Sequence, residues 1–291
     1  NKIFMSSILV TGAEGQLGQC FKTVAKEFPR HNMFFVSKNT LDITKTKHLE
    51  RVYQQYPFEG IINCAAYSNV DQAEFEIEKA RQINHHGIQN LVSLAEQKDL
   101  FIIHFSTDYI FDGKERIPYK EEHSTNPVNR YAHSKLAGEE VLNKSKCSHI
   151  TFRISWLFSP FGSNFVKTIL RLSETKKEIK VVNDQFGRPT YGIDLARDVL
   201  GKLNHPDFFE FNGYHYANKG VISWFEFATK IRDFSKSSCA VNPCSTSEYE
   251  TSAHRPSYSV LDTERIENHL SLSLSNWEDA LKRCLKRIEV K

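Results

Sequence analysis

Ser7-Ile-Leu-Val-Thr-Gly-Ala-Glu-Gly-Gln-Leu-Gly18 is a short apolar run that leads directly into three evenly spaced glycines, Gly12, Gly15 and Gly18. The run predicts a buried strand, and apolar residues at helical spacing over residues 16–27 predict a helix directly after it. Glycines at such a corner let backbone amides approach a pyrophosphate, whose negative charge the helix N-terminus favours. The spacing is G-x-x-G-x-x-G rather than the G-x-G-x-x-G fingerprint, so a tight turn without a ligand stays open as an alternative.

Strands and helices alternate along the first half of the chain. Further apolar runs predict strands over residues 33–36, 60–63, 101–106 and 149–154, and helical patterns cover residues 45–55 and 73–97. Pro127 is predicted to open a helix that carries Tyr131 and Lys135, because the missing N–H of a proline costs little at a helix start. Continuous apolar runs between helices indicate a parallel sheet covered on both faces. The predicted fold class is α/β, with a Rossmann-type doubly wound parallel sheet.

The second half of the chain is less regular. Its patterns predict helices over residues 165–173, 194–203, 223–234 and 276–288, and strands over residues 178–182 and 214–217. We therefore predict a dinucleotide-binding Rossmann domain over residues 1–154, to which some later segments return. A smaller C-terminal α/β substrate-binding domain is predicted over residues 155–291.

Composition excludes several classes of protein. The 291 residues are 40% hydrophobic and carry a net charge of only +3, with the basic residues scattered, so no nucleic-acid partner is expected. No apolar stretch approaches the roughly 20 residues that span a bilayer, and residues 1–5 lack the layout of a signal peptide. The six cysteines form no CxxC pair and join no zinc pattern, although Cys239 and Cys244 leave a disulfide or ligand pair open. These features predict a reduced, cytoplasmic protein without a metal or membrane partner.

Tyr131 and Lys135 stand four residues apart and therefore share one face of the predicted helix. An ammonium beside a phenol favours the phenolate, so we expect Lys135 to lower the pKa of Tyr131 below its ordinary value near 10. Thr107 follows the fourth predicted strand, at the sheet edge where ligands bind, and is placed to donate a hydrogen bond to a substrate carbonyl. Taken singly, Tyr131 fits a core-edge residue, Lys135 a solvated one, and Thr107 with Asp108 a turn cap. Together with the glycine-rich loop, the three predict an oxidoreductase.

The end of the second predicted strand bears on the choice of cofactor. Ser37 and Lys38 stand where an NAD site would place a carboxylate against the ribose 2′-hydroxyl. A cation there can neutralise a 2′-phosphate, so NADPH is the preferred cofactor and NADH stays possible. A solvated Lys38 is the alternative. Asp42 is predicted to face the adenine, with Ile43 beside it.

These residues resemble the extended, sugar-nucleotide branch of the short-chain dehydrogenase/reductase superfamily. The three glycines match its cofactor loop, and Thr107, Tyr131 and Lys135 match its Ser/Thr–Tyr–Lys triad. More narrowly, most of the chain is similar to the dTDP-4-dehydrorhamnose reductase family. The matching segments are residues 63–74, 106–113, 153–158, 183–190 and 255–262. Five matches in order are far more specific than any one of them.

The resemblance implies reduction of the 4-keto group of dTDP-4-dehydro-L-rhamnose, a dTDP-linked 4-keto-6-deoxy sugar, by a monomer or homodimer. Tyr131 would protonate the incipient alkoxide, Lys135 would bind the nicotinamide ribose, and Thr107 would polarise the ketone. The implied cofactor-binding residues are Gly12, Glu14, Gly15, Gln16, Leu17, Gly18, Lys38, Asp42, Ile43, Asn63, Ala65, Ala66, Tyr67, Tyr131 and Lys135. The implied substrate-binding residues are Val70, Thr107, Tyr109, Trp156, Asn183, Gln185 and Arg255.

Several alternatives to these assignments stay open. Trp156 also fits a core aromatic residue, and Arg255 a surface ion pair. Some relatives dimerise through a metal-bridged contact, but Asp194 is the one acidic residue of segment 190–195, so no metal site is predicted. A 4,6-dehydratase or 4-epimerase of the same fold is a rival, although dehydratases typically carry Asp-Glu after the threonine and this chain has Asp108 and Tyr109. A non-catalytic subunit similar to the regulatory subunit of methionine adenosyltransferase is a rival from another class.

Overall fold

The computed structural model describes residues 6–289, so the expectation for residues 1–5 lies outside the described residues. The strands are β1 (Ser7–Thr11), β2 (Asn32–Phe35), β3 (Gly60–Asn63), β4 (Phe101–Thr107), β5 (His149–Ile154), β6 (Leu157–Phe158), β7 (Glu178–Val182), β8 (Phe186–Gly187), β9 (Thr190–Tyr191), β10 (Gly213–Tyr216), β11 (Ile222–Ser223) and β12 (Ala240–Cys244). The α-helices are α1 (Gln16–Val24), α2 (Thr46–Gln55), α3 (Ile77–Arg81), α4 (Gly87–Lys98), α5 (Arg130–Lys144), α6 (Phe165–Thr175), α7 (Gly192–Lys202), α8 (Trp224–Phe234), α9 (Glu264–His269) and α10 (Trp277–Glu289).

A six-stranded sheet in the order β10-β5-β4-β3-β1-β2 forms the centre of the molecule. Every neighbouring pair in it is parallel. The order reverses at β1, which lies between β3 and β2, and ligands of such sheets bind beyond the carboxyl ends of the strands at this point. The predicted α/β class with a Rossmann-type parallel sheet is therefore confirmed. The sheet also receives β10, a strand from the second half of the chain.

Alternate residues of the strands fill two apolar cores, one on each face of the sheet. Ile8 and Val10 of β1 pack with Phe21 of α1 on one face, whereas Leu9 packs with Leu49 of α2 on the other. This alternation follows from the two-residue period of a strand, and both sets are apolar because helices cover both faces. Helices α1 and α7 pack against each other on the first face.

The prediction of one long helix over residues 73–97 is wrong, because this segment is not a continuous α-helix. A 3-10 turn (Gln72–Glu74) comes first, and α3 is then joined to α4 through a π-helical turn (Gln82–His86). Asn84 in that turn is buried, and its side chain bonds the backbone N–H and C=O of Tyr67 and the hydroxyl of Ser134. The wider turn is the kind of local irregularity that often accompanies functional sites.

The helix that carries Tyr131 and Lys135 begins later than predicted. Asn129 is its N-cap, because the Asn129 side-chain oxygen accepts the N–H of Ala132 at 2.8 Å, so α5 starts at Arg130 rather than at Pro127. The strands of the second half outside the main sheet form three short pairs, β7 with β12, β6 with β9 and β8 with β11. No helix within residues 6–289 is both long and apolar enough to cross a membrane.

Candidate active site

The glycine-rich corner between β1 and α1 is shaped by close backbone contacts. Gly12 has a φ of 62°, and a Cβ at that position would lie 2.7 Å from the backbone nitrogen of Ala65. The N–H of Ala13 bonds the carbonyl of Val36 at 3.1 Å, which ties the corner to the end of β2. Gly15 is the N-cap of α1 and supplies no side chain, so the first amides of the helix are left for another partner. The corner therefore has the form of an anion-binding helix N-terminus.

A cavity of about 380 Å³ opens beside this corner at the carboxyl ends of β3, β4 and β5. The predicted site residues that line it are Gly15, Gln16, Leu17, Asn63, Ala66, Val70, Thr107, Tyr109, Tyr131, Lys135 and Trp156. The structure thus brings the predicted catalytic group, part of the predicted cofactor set and part of the predicted substrate set around one space. The role of each residue stays a prediction.

Tyr131 differs electrostatically from the expectation. Burial raises the pKa of Tyr131 to about 12, a hydrogen bond with Thr107 lowers it in part, and the nearby Asp108 carboxyl group raises it further. The expectation that the pKa of Tyr131 lies below its ordinary value is wrong, because desolvation of the phenolate outweighs any attraction to the lysine. Tyr131 is consequently protonated at neutral pH and can serve as a proton donor.

Lys135 is almost completely buried, at 2% exposure, rather than solvated. Its Nζ donates to the backbone carbonyl of Phe105 at 2.6 Å and lies 3.3 Å from Nε2 of His104. Burial lowers the pKa of Lys135 to about 8, although the charges of Glu139 and Cys64 act in the opposite direction. The lysine can therefore change its protonation state near neutral pH.

Thr107 and Asp108 form the end of β4. Thr107 Oγ1 accepts the backbone N–H of Tyr109 at 3.2 Å, which is the turn cap considered as an alternative, and the same side chain lines the cavity. Asp108 is also buried there, and burial raises its pKa to about 7, although hydrogen bonds with Ser259 and Thr107 lower it in part. A carboxyl group that is about half protonated at neutral pH thus lies beside Tyr131.

Two stacked indole rings form the wall of the cavity that comes from the second half of the chain. The rings of Trp156 and Trp224 are parallel within 9°, with centroids 3.5 Å apart. Trp156 has a φ of 47°, and a Cβ at Gly187 would lie 2.5 Å from its indole ring. Trp156 is therefore both packed in the core and exposed to the cavity, so the two interpretations of it are compatible.

Arg255 is held in an ion pair with Asp71. Its two terminal nitrogens donate to both carboxylate oxygens of Asp71, at 3.0 and 2.6 Å. Arg255 also hydrogen-bonds the side chain of Tyr109, which lines the cavity. The alternative of an ion pair for Arg255 is therefore confirmed, and Tyr109 separates this pair from the cavity.

Other predicted residues lie outside the cavity. Asn183 is exposed, and buried Gln185 donates its side-chain N–H to the Thr246 hydroxyl at 3.0 Å. Lys38 is exposed, and the Asp42 carboxylate accepts from the N–H and hydroxyl of Thr44. The remaining predicted residues that do not line the cavity are Gly12, Glu14, Gly18, Ile43, Ala65 and Tyr67.

Sequence reasoning missed some residues of the cavity wall, which are Cys64, Ser68, Phe105, Ser106, Asp108, Ile154, Leu157, Ser163, Asn164 and Trp224. Most of them are neighbours of predicted residues and could have been found by extending each motif by one or two positions. The exceptions are Ser163 and Asn164, which lie just before α6, and Trp224, which begins α8 and reaches the cavity only through the tertiary fold.

Comparisons with known proteins agree with this fold. Residues 5–290 match the family model described as RmlD substrate binding domain. Spore coat polysaccharide biosynthesis protein SpsK of Bacillus subtilis is 36% identical over 282 residues, covering 97% of this chain and 98% of that protein. The dTDP-4-dehydrorhamnose reductase of Aggregatibacter actinomycetemcomitans is 35% identical, covering 96% and 98%. The crystal structure of dTDP-4-dehydrorhamnose reductase from Bacillus anthracis in complex with NADP superposes with a TM-score of 0.91 at 36% identity, covering 98% and 100%.

Proposed function

Because the chain belongs to the RmlD substrate binding domain family, we propose that it is an NADPH-dependent reductase of dTDP-4-dehydro-L-rhamnose that forms dTDP-L-rhamnose. The observation that carries the proposal is the convergence of Thr107, Tyr131 and Lys135 on one cavity beside the N-terminus of α1. NADH stays possible as a second hydride donor.

The glycine-rich corner fits a dinucleotide. The contact of Gly12 with Ala65 leaves no room for a side chain, and Gly15 leaves the first amides of α1 uncovered next to the cavity. Gln16, Leu17 and these amides would hold the pyrophosphate, which a helix N-terminus favours. Lys38, at the end of β2, would hold the 2′-phosphate of NADPH. When bound, the reduced nicotinamide supplies a hydride to C4 of the sugar.

The chain's own residues would direct the proton. Thr107 would donate a hydrogen bond to the ketone oxygen and so place it against Tyr131. Tyr131, which is protonated at neutral pH, would then give its proton to the oxygen as it gains negative charge. Trp156 would form the apolar wall against the sugar ring, and Arg255, released from Asp71, would pair with the diphosphate.

We further propose that residues 1–154 mainly bind the cofactor and residues 155–291 mainly bind the sugar nucleotide. The protein would work as a cytoplasmic monomer or homodimer, without nucleic acid. Light scattering at several concentrations tests the oligomeric state.

The decisive experiment is NADPH oxidation with dTDP-4-dehydro-L-rhamnose, with the product identified by NMR. The Tyr131→Phe variant is expected to lower turnover about 100-fold or more, the usual scale for loss of a general acid, while NADPH binding is kept. Turnover with a different 4-keto sugar nucleotide alone would reassign the substrate. Equal inactivity of wild type and Tyr131→Phe would refute the proposal and favour the regulatory-subunit alternative.

A further inference from the structure

Four buried side chains form a continuous hydrogen-bonded line beneath the cavity floor. Thr11, Asn63, His104 and Lys135 are between 0% and 2% exposed. Thr11 Oγ1 lies 2.6 Å from Asn63 Oδ1, Asn63 Nδ2 lies 3.1 Å from His104 Nδ1, and His104 Nε2 lies 3.3 Å from Lys135 Nζ. The line therefore connects the end of β1 to the lysine of the catalytic group through β3 and β4.

The direction of the first two hydrogen bonds follows from the distances along this line. The 2.6 Å between Thr11 Oγ1 and Asn63 Oδ1 is an ordinary O–H···O distance and is short for N–H···O, so the Thr11 hydroxyl donates to the amide oxygen of Asn63. Thr11 Oγ1 also accepts the N–H of Ala65 at 3.3 Å. The amide oxygen of Asn63 is thereby used, and its NH₂ group faces His104. Nδ1 of His104 must then accept, and the proton of the neutral ring is on Nε2.

This tautomer has a consequence for Lys135. The Nε2–H of His104 points at Lys135 Nζ and can donate only to the lone pair of a neutral amine, because an ammonium has three donors and no acceptor. Lys135 meanwhile donates one N–H to the carbonyl of Phe105. When Lys135 is neutral, its nitrogen can accept the hydrogen bond from the Nε2–H of His104. When Lys135 is charged, one of its N–H groups points at that Nε2–H and no hydrogen bond forms.

We propose that His104 is a positioning residue which, oriented by Asn63 and Thr11, fixes the nitrogen of Lys135 and favours its neutral amine over its ammonium form. Lys135 then gains and loses a proton within the working range of the enzyme. The consequence for catalysis rests on the proposed function, whereas the hydrogen-bond arrangement does not.

The other charged and titratable groups around this pair do not reverse the argument. Glu139 on α5 and Cys64 after β3 favour the charged lysine, but burial outweighs both and lowers the pKa of Lys135. Burial also lowers the pKa of His104 well below its ordinary value, with further contributions from Lys135 and from His149 on β5. Tyr131 and Asp108 face the cavity. Tyr131 is uncharged at neutral pH, and Asp108, whose pKa burial raises to about 7, is about half protonated there.

The ligand-free protein provides the first test. NMR of ¹⁵N-labelled histidine is expected to show His104 as the neutral Nε2–H tautomer from about pH 6 to about pH 9, with the signal assigned by its loss in His104→Gln. The Lys135 Cε resonance, assigned with Lys135→Met, is expected to titrate near pH 8. A neutral Nδ1–H ring or a charged ring in the wild type at neutral pH would overturn the proposal.

Asn63→Asp provides the second test, because a carboxylate cannot donate to Nδ1. His104 is expected to switch to the Nδ1–H tautomer, its Nε2 is expected to accept from the Lys135 ammonium, and the Lys135 titration should move up by about one pH unit. The apparent pKa of Lys135 in the pH profile of kcat/KM should rise by the same amount. The matched control is His149→Gln, a buried histidine on β5 whose ring nitrogens face Cys147 and Asn143.

The outcomes separate the two proposals. An unchanged tautomer and an unchanged Lys135 titration in Asn63→Asp would refute the positioning role, as would an equal shift in His149→Gln. If the expected tautomers are seen but no 4-keto sugar nucleotide is reduced, the proposed function fails and the arrangement of His104 and Lys135 stands.

Discussion

Asp108→Asn tests the electrostatics of the cavity most directly. The carboxyl group of Asp108 is buried, and burial raises its pKa from 3.8 to about 7 in the folded protein. Because this pKa lies above that of the unfolded chain, the group contributes its full stability below about pH 4. That contribution is lost as the pH rises through about 7.

The expected effect follows from the same shift. A group with these two pKa values lowers the free energy of unfolding of the wild type by about 2.5 kcal/mol between about pH 5 and about pH 8. Asparagine has nearly the same shape and does not ionise, so the free energy of unfolding of Asp108→Asn does not fall in this way. The stability of the variant relative to wild type should therefore improve by about 2.5 kcal/mol over this interval.

Urea unfolding of both proteins at the two pH values measures this difference. Asp112→Asn is the control, because the pKa of Asp112 is lowered. Burial raises this pKa, but hydrogen bonds with Asn126 and Lys114 lower it by more. A carboxyl group with a lowered pKa loses its contribution only as the pH falls through that value, so the control difference should be the same at both pH values. If the stability difference between Asp108→Asn and wild type is also the same at both pH values, Asp108 is charged throughout. The burial argument would then be refuted.

Three further predictions concern the cofactor and substrate. Lys38→Glu should lower the ratio of kcat/KM for NADPH over NADH about 10-fold, and an unchanged ratio would show that Lys38 is solvated. Gly12→Ala should lower the free energy of unfolding by about 1–3 kcal/mol because of its positive φ and the contact with Ala65, whereas Gly201→Ala, with its nearest atom at 3.7 Å, should not. Trp224→Ala should raise KM for the sugar nucleotide more than it lowers kcat. A larger effect on kcat than on KM would show that Trp224 does not act in substrate binding.

Local patterns were sufficient to predict most of the elements around the site. Strands β3, β5 and β7 have the predicted bounds. Ile61 and Ile62 give β3 a short apolar run, whereas apolar residues alternate with polar ones along β5 and β7, which is the two-residue period of a strand. The break between α3 and α4 could not be predicted, since it depends on the side chain of Asn84 reaching the backbone of Tyr67. Such a contact between distant segments leaves no periodic pattern in the sequence.

The candidate site shows the same division between local and tertiary information. The spacing of Tyr131 and Lys135 placed them on one helix face, and both do line the cavity. Sequence spacing reports the charge that neighbours Tyr131 but not its burial, and burial has the larger effect on the pKa of Tyr131. Trp224 was missed because its stacking on Trp156 joins segments that are distant in sequence.

The place of β10 beside β5 has a consequence for synthesis on the ribosome. A nascent chain that has emerged only through β5 holds five neighbouring strands, and the outer backbone groups of β5 have no hydrogen-bond partner until β10 arrives. Exposed strand edges of this kind recruit other strands, and translation would leave this one open for seconds. Truncation before Gly213 should therefore give aggregates rather than a stable fragment built on β1 to β5.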